Sequence, residues 1–230
     1  MNRPSQSASA PEDLSPRKAA QRRALLDGAS EILMQDGPAG LSLRKLAARV
    51  GVSTMAVYTA FGGKEGLMRA LFEEAFERLA EAQARAPASR DPLISLANSA
   101  AAYRRFALAN PAYYALMISI TMPLDSQERH AKDDVPAARS IAGQRAFSFL
   151  LDGIERAQKG GLLRTDVPTR QIADSFWAMV HGLCSLELAG YDASKAAADR
   201  RFAIATEAIM RGFLQPQAAN SSIRKPERAG

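Results

Sequence analysis

A single cysteine in 230 residues excludes an intrachain disulfide, and two histidines leave too few ligands for a His/Cys zinc site. No apolar run reaches the ~18 residues of a membrane helix. Met1 to Arg17 is rich in Ser, Pro and Ala and lacks the apolar stretch of a secretory signal. A cytoplasmic chain with no membrane partner is the expectation. Phosphate-cradling signatures are missing. Gly62-Gly63-Lys64 has neither the earlier glycine nor the following Ser or Thr of a P-loop, and there is no G-x-G-x-x-G or H-E-x-x-H. His181 precedes Cys184 by three residues, but no neighbour in sequence would orient it as a base. The sequence therefore points away from enzymes and implies no cofactor and no metal.

Alternating β-branched residues are also scarce, so strands are not expected. Ala, Leu, Glu and Arg dominate instead, at helical spacing. The charge is unevenly spread. Residues 17–64 carry eight basic groups against three acidic, a net +5, out of +6 for the whole chain. Residues 65–214 balance at 18 of each sign. A basic module on a neutral body is the footprint of a polyanion binder, although a solvated basic face gives the same pattern.

Along the chain, residues 1–15 and 215–230 read as a disordered arm and tail. Leu25, Ala29, Ile32 and Leu33 form the stripe of a half-buried helix from about Pro16 to Asp36, which Gly37 and Pro38 stop. Ser42 stands as N-cap before a two-turn helix ending at Gly51. Ser53 stands as N-cap before a second helix, Thr54 to Phe61, with Val57 and Phe61 turned inward. Two short helices joined by Gly-Val-Ser make a helix-turn-helix. A long helix is expected from Lys64 to about Ala84, then helices at 93–109, 111–118, about 136–159, 168–189 and 193–213. A polar loop over 121–135 contains His130.

The runs Leu41-Ser42-Leu43-Arg44-Lys45-Leu46-Ala47 and Gly51-Val52-Ser53-Thr54-Met55-Ala56-Val57-Tyr58-Thr59-Ala60-Phe61-Gly62-Gly63-Lys64-Glu65-Gly66-Leu67 resemble the DNA-binding signature of the tetracycline-repressor (TetR) family. Tyr103-Arg104-Arg105-Phe106-Ala107 with Asn110-Pro111-Ala112-Tyr113-Tyr114, and Trp177 with His181-Gly182, resemble the subgroup with a Trp-His-Gly type C-terminal domain. The resemblance implies an all-α protein of about nine helices. A helix-turn-helix domain over 16–63 would precede a ligand-binding and dimerisation domain over 64–214. It implies that Ser53, Thr54, Met55, Ala56 and Thr59 belong to the DNA-reading helix, with Thr54, Met55 and Ala56 at base edges. Arg44, Tyr58 and Lys64 would hold phosphates. None of the base-facing three is an Arg, Asn or Gln, so direct readout would rest on a hydroxyl and on contacts to thymine methyls. The sequence departs from the family at Gly62-Gly63, where Ser or Asn often caps the next helix, and at Thr59 and Ala60, where Arg or His is common.

Trp177, His181, Cys184 and Leu188 share one helix face. Trp177 and His181, with Tyr103, Phe106, Tyr113, Tyr114, Met117 and Phe147, can line a ligand cavity or simply fill a core, while Cys184 reads as a small buried hydrophobe. The last two long helices are apolar around most of their circumference, which demands burial on two sides; a second subunit can supply one. The resemblance thus implies a ligand-responsive regulator, a repressor released from a palindromic operator by a small hydrophobic or aromatic effector and acting as a homodimer. The long helix spans about 30 Å, so a tilt of ~10° would move its end by ~5 Å and spoil the half-site spacing. The alternatives left open are a helical DNA-binding protein without a ligand, whose core would be filled, and a helical protein-interaction module.

Overall fold

The computed structural model describes residues 16–118 and 141–216. The expected arm, the polar loop with His130 and nearly all of the expected tail lie outside them, as do residues 136–140 of one expected helix. Among the described residues every named element is a helix: α1 Pro16–Gly40, α2 Leu43–Val50, α3 Thr54–Phe61, α4 Lys64–Ala84, α5 Pro92–Ala109, α6 Pro111–Ile118, α7 Ile141–Lys159, α8 Thr169–Leu188 and α9 Lys195–Phe213. None of these helices is long and apolar enough to cross a membrane.

Local chemistry sets the helix ends. Gly37, at φ 67°, breaks α1 just before Pro38, but where the sequence expects the helix to stop at Asp36 one further turn runs through Pro38 to Gly40, because a proline is tolerated at the start of a helical turn. Ser42 Oγ accepts from Lys45 N–H at 3.2 Å, and Ser53 Oγ accepts from Ala56 N–H at 3.1 Å, so both expected serine caps are in place. Asp91 caps α5 ahead of Pro92, and Ser194 caps α9. Gly51 and Gly62 close α2 and α3 at φ 74° and 71°, a left-handed conformation that costs other residues about 1 kcal/mol or more.

The structure divides into two compact units, the first ending at Leu71 and the second beginning at Phe72. A change at residue 63/64 was the sequence expectation. The shift has a packing cause: Leu67, Met68 and Leu71, in the first two turns of α4, are buried with the core of the first unit. That core also holds Leu25, Leu26, Ala29 and Ile32 of α1, Leu46 and Ala47 of α2, and Val57 and Phe61 of α3. Each fully buried leucine there contributes about 1.5–3 kcal/mol.

In the second unit α5 packs on α7, and α8 packs on both α7 and α9. Leu96, Ile154, Leu163, Ile172 and Phe176 form its centre, with Ile209 and Phe213 packed against them. Arg104 of α5 binds Glu187 of α8 at 2.7 and 2.8 Å and Asp199 of α9 at 2.7 Å, while lying 4.9 Å over the Phe202 ring. It staples three helices and carries its charge into a partly buried place by pairing it twice. The loop after α7 meets the chain after α9: Arg164 N–H donates to Phe213 O and Gln215 N–H to Leu162 O, both at 2.9 Å. Gln215, placed at the start of a disordered tail by composition, is held by that bridge.

Candidate DNA-reading surface and ligand cavity

In the helix-turn-helix, α3 has two faces. Val57 and Phe61 point into the core, while Met55 is 70% exposed and Tyr58 56% exposed. Ser53, Thr54 and Thr59 are exposed as well, Ala56 half-exposed, and Arg44 on α2 is exposed. The eight residues assigned to DNA from sequence therefore all reach the surface of the first unit. Lys64 is exposed too, and its Nζ donates to the carbonyl of Pro38 at 3.0 Å. It has an intramolecular task that the sequence did not suggest: it ties the start of α4 to the end of α1.

Not all of the module's cations face solvent unpaired. Lys45 binds Asp36 at 2.7 Å and Arg49 binds Glu31 at 2.6 Å. Arg22 lies 4.8 Å over the Phe61 ring. Arg17, Lys18, Arg23 and Arg44 are exposed and keep the surface positive. Close backbone approach fixes the motif. A Cβ on Gly66 would stand 1.8 Å from the Phe61 carbonyl oxygen, so only glycine lets α4 start so near the end of α3. Gly63, at φ 139°, and Gly62 make the turn between them. The Gly-Gly pair departs from the sequence pattern of related motifs, and the positive φ at both positions explains it.

The second unit holds a cavity of about 330 Å³. Tyr103, Phe147 and Trp177 line it, as does Phe176. Five other residues expected at a ligand from sequence, Phe106, Tyr113, Tyr114, Met117 and His181, stand elsewhere. Phe106 is buried in the core. Tyr113 is buried under Arg78, whose guanidinium lies 4.4 Å from its ring. Met117 is half-buried on α6. His181 sits behind the wall: its Nδ1 is 3.1 Å from Tyr103 Oη and 3.2 Å from Tyr114 Oη, and its ring stacks at 5.3 Å on Trp177. Tyr114 Oη also donates to His181 O at 2.8 Å and meets Ser185 Oγ at 2.9 Å. Tyr103 and Tyr114 approach edge to face at 6.3 Å.

The sequence reading missed the polar wall. Gln83 of α4, Ser99 of α5, Gln144 of α7, and Arg170 and Asp174 of α8 all line the cavity. The signal was there as helical stripes. Phe76, Leu79 and Gln83 lie at i, i+3 and i+7; Leu96, Ser99 and Tyr103 follow the same spacing, and Arg170, Asp174 and Trp177 nearly so. Which of a helix's stripes meets a hollow depends on its neighbours, and the stripe pattern does not encode that.

Electrostatically the aromatic cluster is a neutral hydrogen-bond network. Burial pushes the Tyr103 phenol well above its ordinary value, with the nearby Tyr114 and Cys184 adding and a hydrogen bond from Trp177 opposing. Burial also raises Tyr114 to about 12 and Cys184 to about 12, and it lowers His181. At neutral pH the phenols keep their protons and the imidazole is uncharged, so Nδ1 can accept from a phenol. Cys184 stays a thiol, buried and unreactive.

Comparison with known proteins matches both units. Residues 25–71 match the family described as bacterial regulatory proteins, tetR family, and residues 96–209 match the tetracyclin repressor-like C-terminal domain. A Rhodococcus sp. RHA1 protein of unknown function is 31% identical, with a TM-score of 0.68 over 90% of this chain and 100% of that one. A TetR family transcription regulator from Marinobacter aquaeolei VT8 has the same fold at 18% identity, with a TM-score of 0.66 over 88% of this chain and all of its own. The uncharacterized HTH-type transcriptional regulator YobS of Bacillus subtilis is 29% identical over 101 residues, 44% of this chain; the match spans about half, 53%, of that relative's length. A capped helix-turn-helix with an exposed basic face, joined to a helical domain that matches the same family, leads to one conclusion: the chain belongs to the TetR family of DNA-binding transcriptional regulators.

Proposed function

We propose that this regulator is a homodimeric repressor that binds a palindromic operator and leaves it when a small hydrophobic or aromatic effector fills the cavity of the second unit. The observation that carries the effector is the cavity of about 330 Å³, walled by Tyr103, Phe147, Phe176 and Trp177, which lies within the size range of small-molecule sites. A DNA binder without a ligand would have a filled core there. The finer likeness to the Trp-His-Gly subgroup belongs to this proposal as well, with Trp177 on the wall and His181 behind it.

The DNA-reading residues are Ser53, Thr54, Met55, Ala56 and Thr59, with Arg44, Tyr58 and Lys64 on phosphates. The exposure of all of them supports that assignment. The dimer reading rests on α8 and α9. Phe176, Val180 and Phe202 are buried, while on the same two helices Leu186 is 43% exposed and Ile204 67%. Two such helices from each subunit would cover each other's apolar side. For coupling, α4 carries Leu67 and Leu71 in the core of the first unit and Phe76 and Leu79 on the cavity wall, so an effector would bear on a helix that begins in the DNA-reading unit.

The test is selection of duplexes from a random pool, followed by binding isotherms between ~50 and ~200 mM salt. A palindromic consensus, bound as a dimer with affinity falling steeply with salt, is expected. A non-symmetric preference bound by one chain would overturn the dimeric-operator reading.

A further inference from the structure

The cavity wall carries few polar groups, and most are already engaged. Arg170 Nε donates to Asp174 at 3.0 and 3.2 Å, one helical turn away, and the Arg170 guanidinium also lies 4.8 Å over the Phe147 ring. Their charges cancel. Gln83 differs. Its Nε2 donates to Ser99 Oγ at 3.2 Å, but its Oε1 is buried and accepts no hydrogen bond. A buried amide oxygen left unpaired is unfavourable and uncommon in a native protein. Here it belongs to a residue on the wall of a cavity lined mostly by aromatic and aliphatic side chains.

The terminal torsion of glutamine is broad, so the amide turns toward the cavity at small cost, and the Ser99 hydroxyl follows as donor or acceptor. A hydroxyl placed there satisfies the amide; a methyl group leaves it buried and unpaired. The asymmetry favours the hydroxyl by about tenfold for one neutral hydrogen bond. A carboxylate would find an uncharged amide and an arginine already paired, and would lose its hydration.

We propose that Gln83 is the specificity-determining residue of the cavity and that the effector is an uncharged aromatic molecule bearing a hydroxyl group, held by the Gln83 side-chain amide. The proposal rests on reading the cavity as the effector site. Gln83 is on α4, so the group that recognises the hydroxyl belongs to the helix that begins in the DNA-reading unit.

The experiment compares 4-butylphenol, 4-butyltoluene and 4-butylbenzoate on the full chain, by calorimetry and by emission of Trp177, the only tryptophan. The wild type is expected to bind the phenol about tenfold more tightly than the toluene, with the benzoate weakest. Gln83→Leu should bring phenol and toluene within about twofold while sparing the toluene; Gln83→Met, which keeps the side-chain length, should do the same and covers the case of a poorly folded leucine variant. A phenol advantage that survives both substitutions overturns the proposal, as does a wild type that does not discriminate. Tightest binding of the benzoate would move recognition to Arg170 and also overturn it. If none of the three binds and Trp177 emission is unmoved, the effector-site reading itself falls, and this proposal with it.

Discussion

Tyr103 Oη lies 3.1 Å from His181 Nδ1, and it is this phenol, not the imidazole, that reaches the cavity wall. The histidine is enclosed by Tyr103 of α5, Tyr114 of α6 and Trp177 of its own helix. It positions Tyr103 and Trp177, two of the residues that line the cavity, without lining it itself. If the cavity is the effector site as proposed, a substitution at His181 is expected to act at second hand, by letting Tyr103 and Trp177 turn.

The network carries a pH dependence. Burial holds His181 below its ordinary value of 6.5. As pH falls through that value the unfolded chain takes up a proton that the folded chain still refuses, so folded stability is lost between about 6.5 and the lower folded-state value. Above 6.5 the residue contributes no slope. Thermal unfolding followed from pH 7.5 down to 5.5 should show a steeper loss in the wild type than in His181→Gln; parallel curves would remove His181 from this role.

Gly66 should not tolerate a side chain. A methyl group there would stand 1.8 Å from the Phe61 carbonyl, which is backbone and cannot swing away. Gly66→Ala should cost about 1–3 kcal/mol by overpacking and displace α3 from α4. Operator affinity should fall at every salt concentration while the helical content by circular dichroism is nearly unchanged. Wild-type affinity in this variant would refute the close approach.

The exposed side of α8 and α9 can be separated from the core by choice of site. Ile204→Arg places a charge on a residue that is 67% exposed within one chain, so it should leave the subunit folded and break the dimer. Phe213→Arg tests something else, because Phe213 packs 6.0 Å from Phe176 in the core of its own subunit; it should lower the melting temperature first. Sedimentation velocity at micromolar concentration distinguishes them: a dimeric Ile204→Arg would reject this surface.

Phosphate and base contacts should differ in their signatures. Tyr58→Phe and Arg44→Ala are expected to weaken all duplexes alike, and Arg44→Ala to lower the salt slope by about 1. Thr54→Ala should instead change the preferred sequence. Lys64→Ala should do more than lose a phosphate, since it also frees the Pro38 carbonyl, 3.0 Å from Nζ. Its melting temperature is expected to drop slightly where that of Arg44→Ala does not.

Much of this protein was legible in one dimension. Serine before an apolar stripe, glycine after it and proline just beyond act through the backbone of a few neighbouring residues, so the break in α1 at Gly37, the starts of α2 and α3 after Ser42 and Ser53 and the end of α2 at Gly51 followed from those residues alone. The residues proposed to meet DNA are equally local, eight positions within 21 residues; on α3 the helical period sets Thr54, Met55, Tyr58 and Thr59 on the exposed side, away from Val57 and Phe61. The cavity was not local. Tyr103 and His181, 78 residues apart, meet only because α5 packs on α8, and their contact spends the histidine on a phenol. Gln83 and Arg170 read as ordinary polar positions on amphipathic helices until tertiary packing placed them beside a hollow. Sequence fixed which residues want to be buried and where each helix stops, because those are short-range effects; which buried faces meet, and where they fail to meet and leave a cavity, is a property of several helices packed at once.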